Sequence, residues 1–442
     1  MSPSFLKRIL PFTASLALSV GPAASLAQSA LGAEYEAIGY AKEATHNPVA
    51  RLLARLQSGE TQLEYSPTRG YFDSFIAELG IDPSSQVLVF SPTSLQYRLI
   101  NQRTPRGLYF ADDIYIGFVQ HSTIVEVATE DELLGTVFYI FNNVKDTTQP
   151  LVREKDGRCL VCHDSNGLGV GGVPTVMAMS GLFDQRGNLL RDFSAGNTTD
   201  QTPLADRWGG WYVSGQHGAQ GHLGNVILND ASQLPQVEQL QRGNLDSLET
   251  LFDTTPYLRA TSDIVALLVL EHQLTVQNQL TYVKFKAPMV LQRAGHPEAR
   301  DAASWDALPP NGQRALRRML NKLADTLLFV DAAPFTERIS GNADYVNWFQ
   351  NQGPRDAQGR SLREFDLNTR LFHYPLSYLV FSPSIDALPP YAKDYLYQEL
   401  ASRLQNDETL AASEHERHAA LAILAAIKDD FAPYAEAARA VE

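Results

Sequence analysis

Along this chain the spacing of apolar positions changes register three times. From about residue 34 to 82 the spacing is helical, with apolar side chains every three to four residues in Ala50-Arg51-Leu52-Leu53-Ala54-Arg55-Leu56 and from Phe72 to Leu79. From 86 to 141 it shortens to the strand pattern. Gln86–Phe90, Leu108–Phe110, Asp113–Val119, Ile124–Val127 and Thr136–Phe141 are short runs rich in β-branched and aromatic residues, separated by turn residues. Between about 151 and 230 neither period holds and glycine is frequent. From 231 onward helical spacing returns, and helices are predicted at 233–252, 257–285, 310–329, 390–405 and 407–428. The expected class is α+β, predominantly α. A small antiparallel sheet precedes a loop-rich region, and a helical C-terminal half follows.

Within the second predicted helix, Asp263 to Leu280 is apolar on nearly every side, but Glu271, His272, Gln273 and Asn278 interrupt it. Buried polar groups need hydrogen-bond partners, so these four must meet partners elsewhere in the fold. Glu271 and His272 also cut the apolar run below the length of a membrane span.

The first 27 residues read as an export signal. Lys7 and Arg8 form a basic start, an apolar stretch runs from Ile9 to about Val20, and Ser25-Leu26-Ala27 is a small-residue cleavage site. Cleavage leaves 34 basic side chains (the 36 of the full chain less Lys7 and Arg8) against 50 acidic ones, a formal charge of −16. That charge argues against nucleic acid or an anionic membrane surface and suits a partner with a basic docking face. The expected location is the periplasm, with no membrane anchor after cleavage.

The chain has two cysteines, Cys159 and Cys162. In an exported protein an isolated pair suggests a disulfide, but two intervening residues make a tight loop of the redox-active kind. The next residue is His163, and Cys-x-x-Cys-His is the attachment signature of c-type haem. Each thiol adds across one porphyrin vinyl group, and the histidine stands beneath the iron as proximal ligand. A zinc site would need two more thiols or histidines at ligand spacing. A thioredoxin-like pair would not require His163. The cofactor expected is therefore one covalent haem c on Cys159, Cys162 and His163. Asp156-Gly157 before the motif and the run from Asn166 to Gly172 after it supply turns and close backbone approach to a flat macrocycle.

The sixth iron ligand is less determined. His217 and His222 lie 54 and 59 residues after His163, in Trp208-Gly209-Gly210-Trp211-Tyr212-Val213-Ser214-Gly215-Gln216-His217-Gly218-Ala219-Gln220-Gly221-His222, where aromatic rings and glycines could wrap a haem edge. His217 is taken first, with His222, Met177, Met179 and His272 as alternatives. His272 could also serve as a distal acid–base group. Arg153, Arg158 and Arg207 are candidate partners for haem propionates.

At the attachment motif, at Arg207–Val213 with the two histidines that follow, and at Tyr374-Pro375-Leu376-Ser377-Tyr378-Leu379, the chain resembles a family of exported c-type cytochrome proteins with no assigned reaction. The resemblance extends over most of the mature chain. It implies haem c and a periplasmic location. The expected organisation is a signal peptide (1–27), an N-terminal α+β region (28–150), a haem c-binding region (151–230) and a helical region (231–442). The expected function is electron transfer as a monohaem cytochrome with a redox partner protein. The alternatives are a peroxidase-like oxidoreductase with an open distal site, since a pure carrier needs less scaffold, and a haem-based sensor.

Overall fold

A computed structural model describes residues 38–147, 150–154, 158–164, 172–192, 197–241 and 243–440. The expected signal peptide, the Asp156-Gly157 turn and the glycine run from Asn166 to Gly171 lie outside the described residues.

Helix α1 (Pro48–Ser58) starts where the Asn47 side chain accepts the Ala50 N–H, and it stops at Gly59, which takes the left-handed conformation at φ 74°. Helix α2 (Phe72–Glu78) follows. The strands are β1 (Val87–Val89), β2 (Arg106–Ala111), β3 (Ile114–Phe118), β4 (Ile124–Asp131), β5 (Gly135–Asn142) and β6 (Leu151–Arg153). After a single helical turn, α3 (Leu160–His163), come β7 (Gly181–Phe183), β8 (Leu189–Asp192) and β9 (Trp211–Tyr212). One seven-stranded sheet runs in the order β6-β5-β4-β3-β2-β1-β9, and all its neighbours are antiparallel. The strand runs read from sequence match β1 to β5. The edge strand β9 shows no strand pattern in the sequence: it is two residues long and comes from beyond the cysteine motif.

The sheet is covered on both faces. On one, Phe72 meets Tyr109 and Phe118 (ring centroids 5.2 and 4.6 Å), and Phe75 stacks on Phe141 at 4.1 Å. On the other lie Tyr115, Ala128 and Phe138, adjacent across β3, β4 and β5. That face carries α4 (Ile264–Arg293), the 30-residue helix capped by the Asp263 carboxylate on the Val265 and Ala266 amides. Helices α5 (Pro310–Leu327), α6 (Ala343–Asn351), α7 (Pro390–Asn406), α8 (Glu414–Ile427) and α9 (Ala432–Arg439) complete the helical half. The core is continuous from the sheet through α4 into these helices.

The helix predicted at 233–252 is not present. Only short turns occur there, at Ala231–Gln236 and Val237–Leu240. Pro235 removes a backbone donor and Gly243 weakens any continuation. Leu248 and Phe252 are buried instead from an irregular segment, against Leu88, Phe90 and Tyr212. The helix expected at 257–285 is displaced to Ile264–Arg293 and continues through Pro288. Among the described residues no helix is long and apolar enough to cross a membrane.

Candidate functional site

The cysteine motif is built on one helical turn. The amides of Cys162 and His163 both donate to the Cys159 carbonyl, at 3.2 and 3.0 Å. This winding sets Cys159, Cys162 and His163 at helical offsets of three and four residues, so all three share one face. Leu160 is buried and anchors the turn, whereas Val161 is 78% exposed. Cys159 is half-buried, Cys162 is exposed, and both thiols are free. The His163 ring lies on Phe138 of β5, with centroids 4.8 Å apart.

Thr175 holds His163 in place from both ends. Its amide and hydroxyl donate to the His163 carbonyl at 2.9 and 3.1 Å. Its carbonyl lies 2.8 Å from His163 Nδ1. A carbonyl only accepts, so the ring proton sits on Nδ1, and Nε2 keeps its lone pair. Burial, with a smaller contribution from the Arg106 charge, holds the imidazole below its ordinary pKa, so it is neutral at pH 7 despite the opposing Thr175 bond. A neutral imidazole whose second nitrogen is tied to a carbonyl is the state a metal ligand requires.

Helix α4 supports this arrangement from behind. The Asn278 side chain takes both backbone groups of Val176, accepting its N–H at 3.2 Å and donating to its carbonyl at 2.8 Å. The residue that interrupts the apolar helix therefore fixes the neighbour of the residue that orients His163. Thr175 carried no signal in the sequence, because its part is played mainly by backbone atoms.

The Cys159 thiol is pushed up to about 12, by burial first and then by the Glu154 and Glu126 carboxylates. A reactive dithiol needs the opposite, a thiolate stabilised by positive surroundings. The pair does follow a strand and open a helix, as a thioredoxin-like motif would, but that helix is a single turn. A half-buried sulfur that resists ionisation is compatible with an uncharged thioether. The donor set, two thiols and one imidazole from residues on one face of the turn, fits a covalently attached haem.

His217 and His222 are brought together. Both are buried, and their rings meet edge to face at 4.6 Å. His217 Nδ1 is 2.5 Å from the Gln220 carbonyl, and its buried Nε2 has no hydrogen-bond partner among the described residues. His222 packs on the Trp208 indole at 5.3 Å, and its buried Nδ1 likewise has no partner among the described residues. Burial, then the neighbouring His217, pushes His222 down to about 3. The glycines here are steric requirements. A Cβ on Gly224 would stand 2.9 Å from His222 Nδ1, and one on Gly209 would stand 2.5 Å from the Gly181 carbonyl oxygen. Among the described residues no hydrogen bond or ring contact joins this pair to the attachment turn. Met177 and Met179 follow Thr175 in an irregular segment, both half-buried, and the Met179 carbonyl accepts the Trp211 indole N–H at 2.7 Å.

His272 has both ring nitrogens engaged, with Asp200 at 2.8 Å and the Ser377 hydroxyl at 2.7 Å, and it stacks on Phe329 at 4.3 Å. The distances are those of a Ser-His-Asp triad, but Ser377 and His272 have no exposed surface, and the Ser377 oxygen accepts the Leu379 amide. No acyl group can approach, so the trio is a tie within the core. Beside it Arg207 and Glu271 form a buried ion pair at 3.0 Å, with side chains 3% and 2% exposed. Gln273 bridges the Ala111 carbonyl, Tyr115 and Tyr378. The four polar residues of α4 thus each have their partner. Of the proposed propionate partners, Arg207 is committed to Glu271, Arg158 pairs with Glu154, and Arg153 donates to the carbonyls of Tyr40 and Glu43.

Among the described residues no three His, Cys, Asp or Glu side chains converge to hold a metal ion by themselves. Comparison with protein-family models, curated proteins and solved structures finds no match to this chain.

Proposed function

We propose that this protein is an exported monohaem c-type cytochrome that transfers electrons. Cys159 and Cys162 would hold the haem by thioether bonds, and His163 would be the proximal ligand. The observation that carries this reading is the state of His163. Its Nδ1 proton is spent on the Thr175 carbonyl, and the residue shares a helical face with both cysteines. The haem would supply a one-electron ferric–ferrous couple, which no side chain at this site provides. For the sixth position we put forward His217, supported by a buried Nε2 with no hydrogen-bond partner among the described residues, with His222 next to it as the alternative.

The protein's own part is to hold the imidazole neutral and oriented and to keep the Cys159 sulfur out of water. The acidic surface, −16 after signal cleavage, would receive a partner with a basic docking face in the periplasm. The test is the mass and visible spectrum of protein exported by a host that attaches haem c. Sharp c-type bands on dithionite reduction and a mass increased by one haem are expected. An unmodified mass with free thiols would refute the assignment.

A further inference from the structure

The charge of −16 is a sum over the whole mature chain. Physiological salt limits the reach of each charge to about 8 Å, so a large surface responds to the side chains it meets rather than to the sum. The charges are unevenly placed. From Ser91 to Pro105, between β1 and β2, and from Val119 to Val125, at the β3–β4 turn, the chain holds Arg98, Arg103 and His121 but no aspartate or glutamate. The two segments border one shallow depression, open to solvent. The β7–β8 hairpin lies alongside and adds Arg186. The Gln102 side chain donates to the Asp184 carbonyl at 3.0 Å, and a Cβ on Gly187 would stand 3.2 Å from Pro92 Cγ.

Exposed apolar side chains collect on the same face. Leu95 is 56% exposed, Tyr97 49%, Leu99 39% and, on the hairpin, Leu189 54%. Gln96 and Ile100 are buried and hold the loop to the body, which leaves Leu95, Tyr97, Arg98 and Leu99 outside. Single exposed apolar residues are ordinary, but a group of them rimmed by charge marks an interaction surface.

The arginines are free to meet a partner. Arg98, Arg103 and Arg186 are exposed, and among the described residues none forms a salt bridge. Arg98 Nε donates to the Tyr97 hydroxyl at 3.2 Å, and its guanidinium lies over that ring at 5.6 Å. Asp184 is buried and turned onto its own turn, where it accepts the amides of Arg186 and Asn188 and the Asn188 side chain. Arg106 is spent on Glu126 and takes no part.

Unpaired cations call for an anion, and apolar tips beside them call for an apolar layer just beneath it. The boundary of an anionic bilayer supplies both, with phosphates at the level of the arginines and a zone where tyrosine and leucine insert. A protein side chain would need walls to enclose it, which the open depression does not provide.

We infer that this face docks reversibly on an anionic phospholipid surface. Leu95, Tyr97 and Leu99 enter the headgroup layer, and Arg98, Arg103 and Arg186 meet lipid phosphates. The contact is peripheral, and its apolar and basic parts reinforce each other. The inference does not depend on the haem assignment.

The test is co-sedimentation of the purified mature protein with vesicles in about 0.15 M salt. One set contains phosphatidylglycerol and phosphatidylcholine in equal parts, the other phosphatidylcholine alone. Saturable binding to the first set is expected, and far weaker binding to the second. Arg98→Gln, Arg103→Gln and Arg186→Gln combined should weaken it about a hundredfold. Leu95→Ser with Leu99→Ser should weaken it about tenfold, which separates insertion from charge attraction alone. Arg318→Gln, on the exposed side of α5, should leave it unchanged. The substituted side chains are exposed, so each variant should keep the wild-type urea midpoint. No binding to the phosphatidylglycerol vesicles, equal binding to both sets, or affinity unchanged in either combined variant would overturn the inference. Tighter binding to polyglutamate than to the vesicles would assign the face to an acidic protein and overturn it as well.

Discussion

Asn278 gives the sharpest test of how the fold holds its proposed haem ligand. Asn278→Leu keeps the volume and removes both bonds to Val176. Each such bond contributes a net of about 0.5–1.5 kcal/mol, so the pair is worth about 1–3 kcal/mol. Val176 and Asn278 are half-buried, and water can take over part of the lost bonding, which places the expected loss in the lower half of that range. Urea denaturation followed by circular dichroism would show it as a lower midpoint at unchanged slope. The second effect is local. The Thr175 carbonyl that accepts from His163 Nδ1 is covalently joined to the Val176 amide, so freeing Val176 loosens that bond. With the proposed haem bound, a weaker Nδ1–H···O bond would make Nε2 a poorer donor, favour ferrous over ferric iron and raise the reduction potential. A tenfold loss of ferric preference corresponds to about 59 mV for one electron, and a spectroelectrochemical titration would resolve a shift of a few tens of millivolts. Asn278→Asp keeps the acceptor for the Val176 amide but loses the donor, and should fall between wild type and Asn278→Leu in potential. If Asn278→Leu lowers stability while the potential stays at the wild-type value, the clamp does not reach His163 and the reasoning fails.

Three further predictions follow from the buried polar groups. Arg207→Met strands Glu271 in the core and should cost about 3–5 kcal/mol at pH 7, whereas Arg207→Met with Glu271→Gln should cost clearly less; equal losses would show that the pair is not coupled. Burial already lifts Glu271 to about 7 against the opposing Arg207, and losing Arg207 lifts it further. The folded variant then holds the proton more tightly than the unfolded chain, so Arg207→Met should regain stability as pH falls from 7 towards 5. His222 behaves in the opposite sense. Its folded value is depressed to about 3, so the unfolded chain binds the extra proton, and stability is lost as pH falls through the ordinary histidine range towards 3. His222→Phe should flatten that slope by up to about 1.4 kcal/mol per pH unit; an unchanged slope between pH 4 and 6 would mean that His222 is already charged in the fold. Finally, the ferric protein should give a low-spin electron paramagnetic resonance signal that turns high-spin in His217→Ala. A high-spin wild type, unchanged in His217→Ala and His222→Ala, would move the protein from carrier to a haem with an open site.

Much of the architecture could be read from local pattern. The strand runs from Gln86 to Phe141 alternate and branch as half-buried strands must, and five of them pair in the antiparallel sheet. The helices at 310–327 and 390–406 likewise show their spacing openly. Local pattern failed at 233–252, where Pro235 and Gly243 outweigh the apolar periodicity, and at β9, which is too short to carry a period and exists because Trp211 and Tyr212 find the free edge of β1.

What the sequence by itself determined is the local pattern at the motif. Two cysteines, two intervening residues and a histidine form a covalent pattern whose geometry is set within one helical turn, so no distant contact is needed to recognise it. Only the tertiary structure decided which side chains serve that turn. Thr175 fixes the His163 tautomer through backbone atoms, Asn278 reaches Val176 from a helix a hundred residues further along, and His272 is tied to Asp200 and Ser377 with no ring nitrogen left for iron. The physical reason is common to all of these. Periodicity and spacing report contacts within a few residues, whereas hydrogen-bond satisfaction and desolvation depend on which distant groups the packed core brings together.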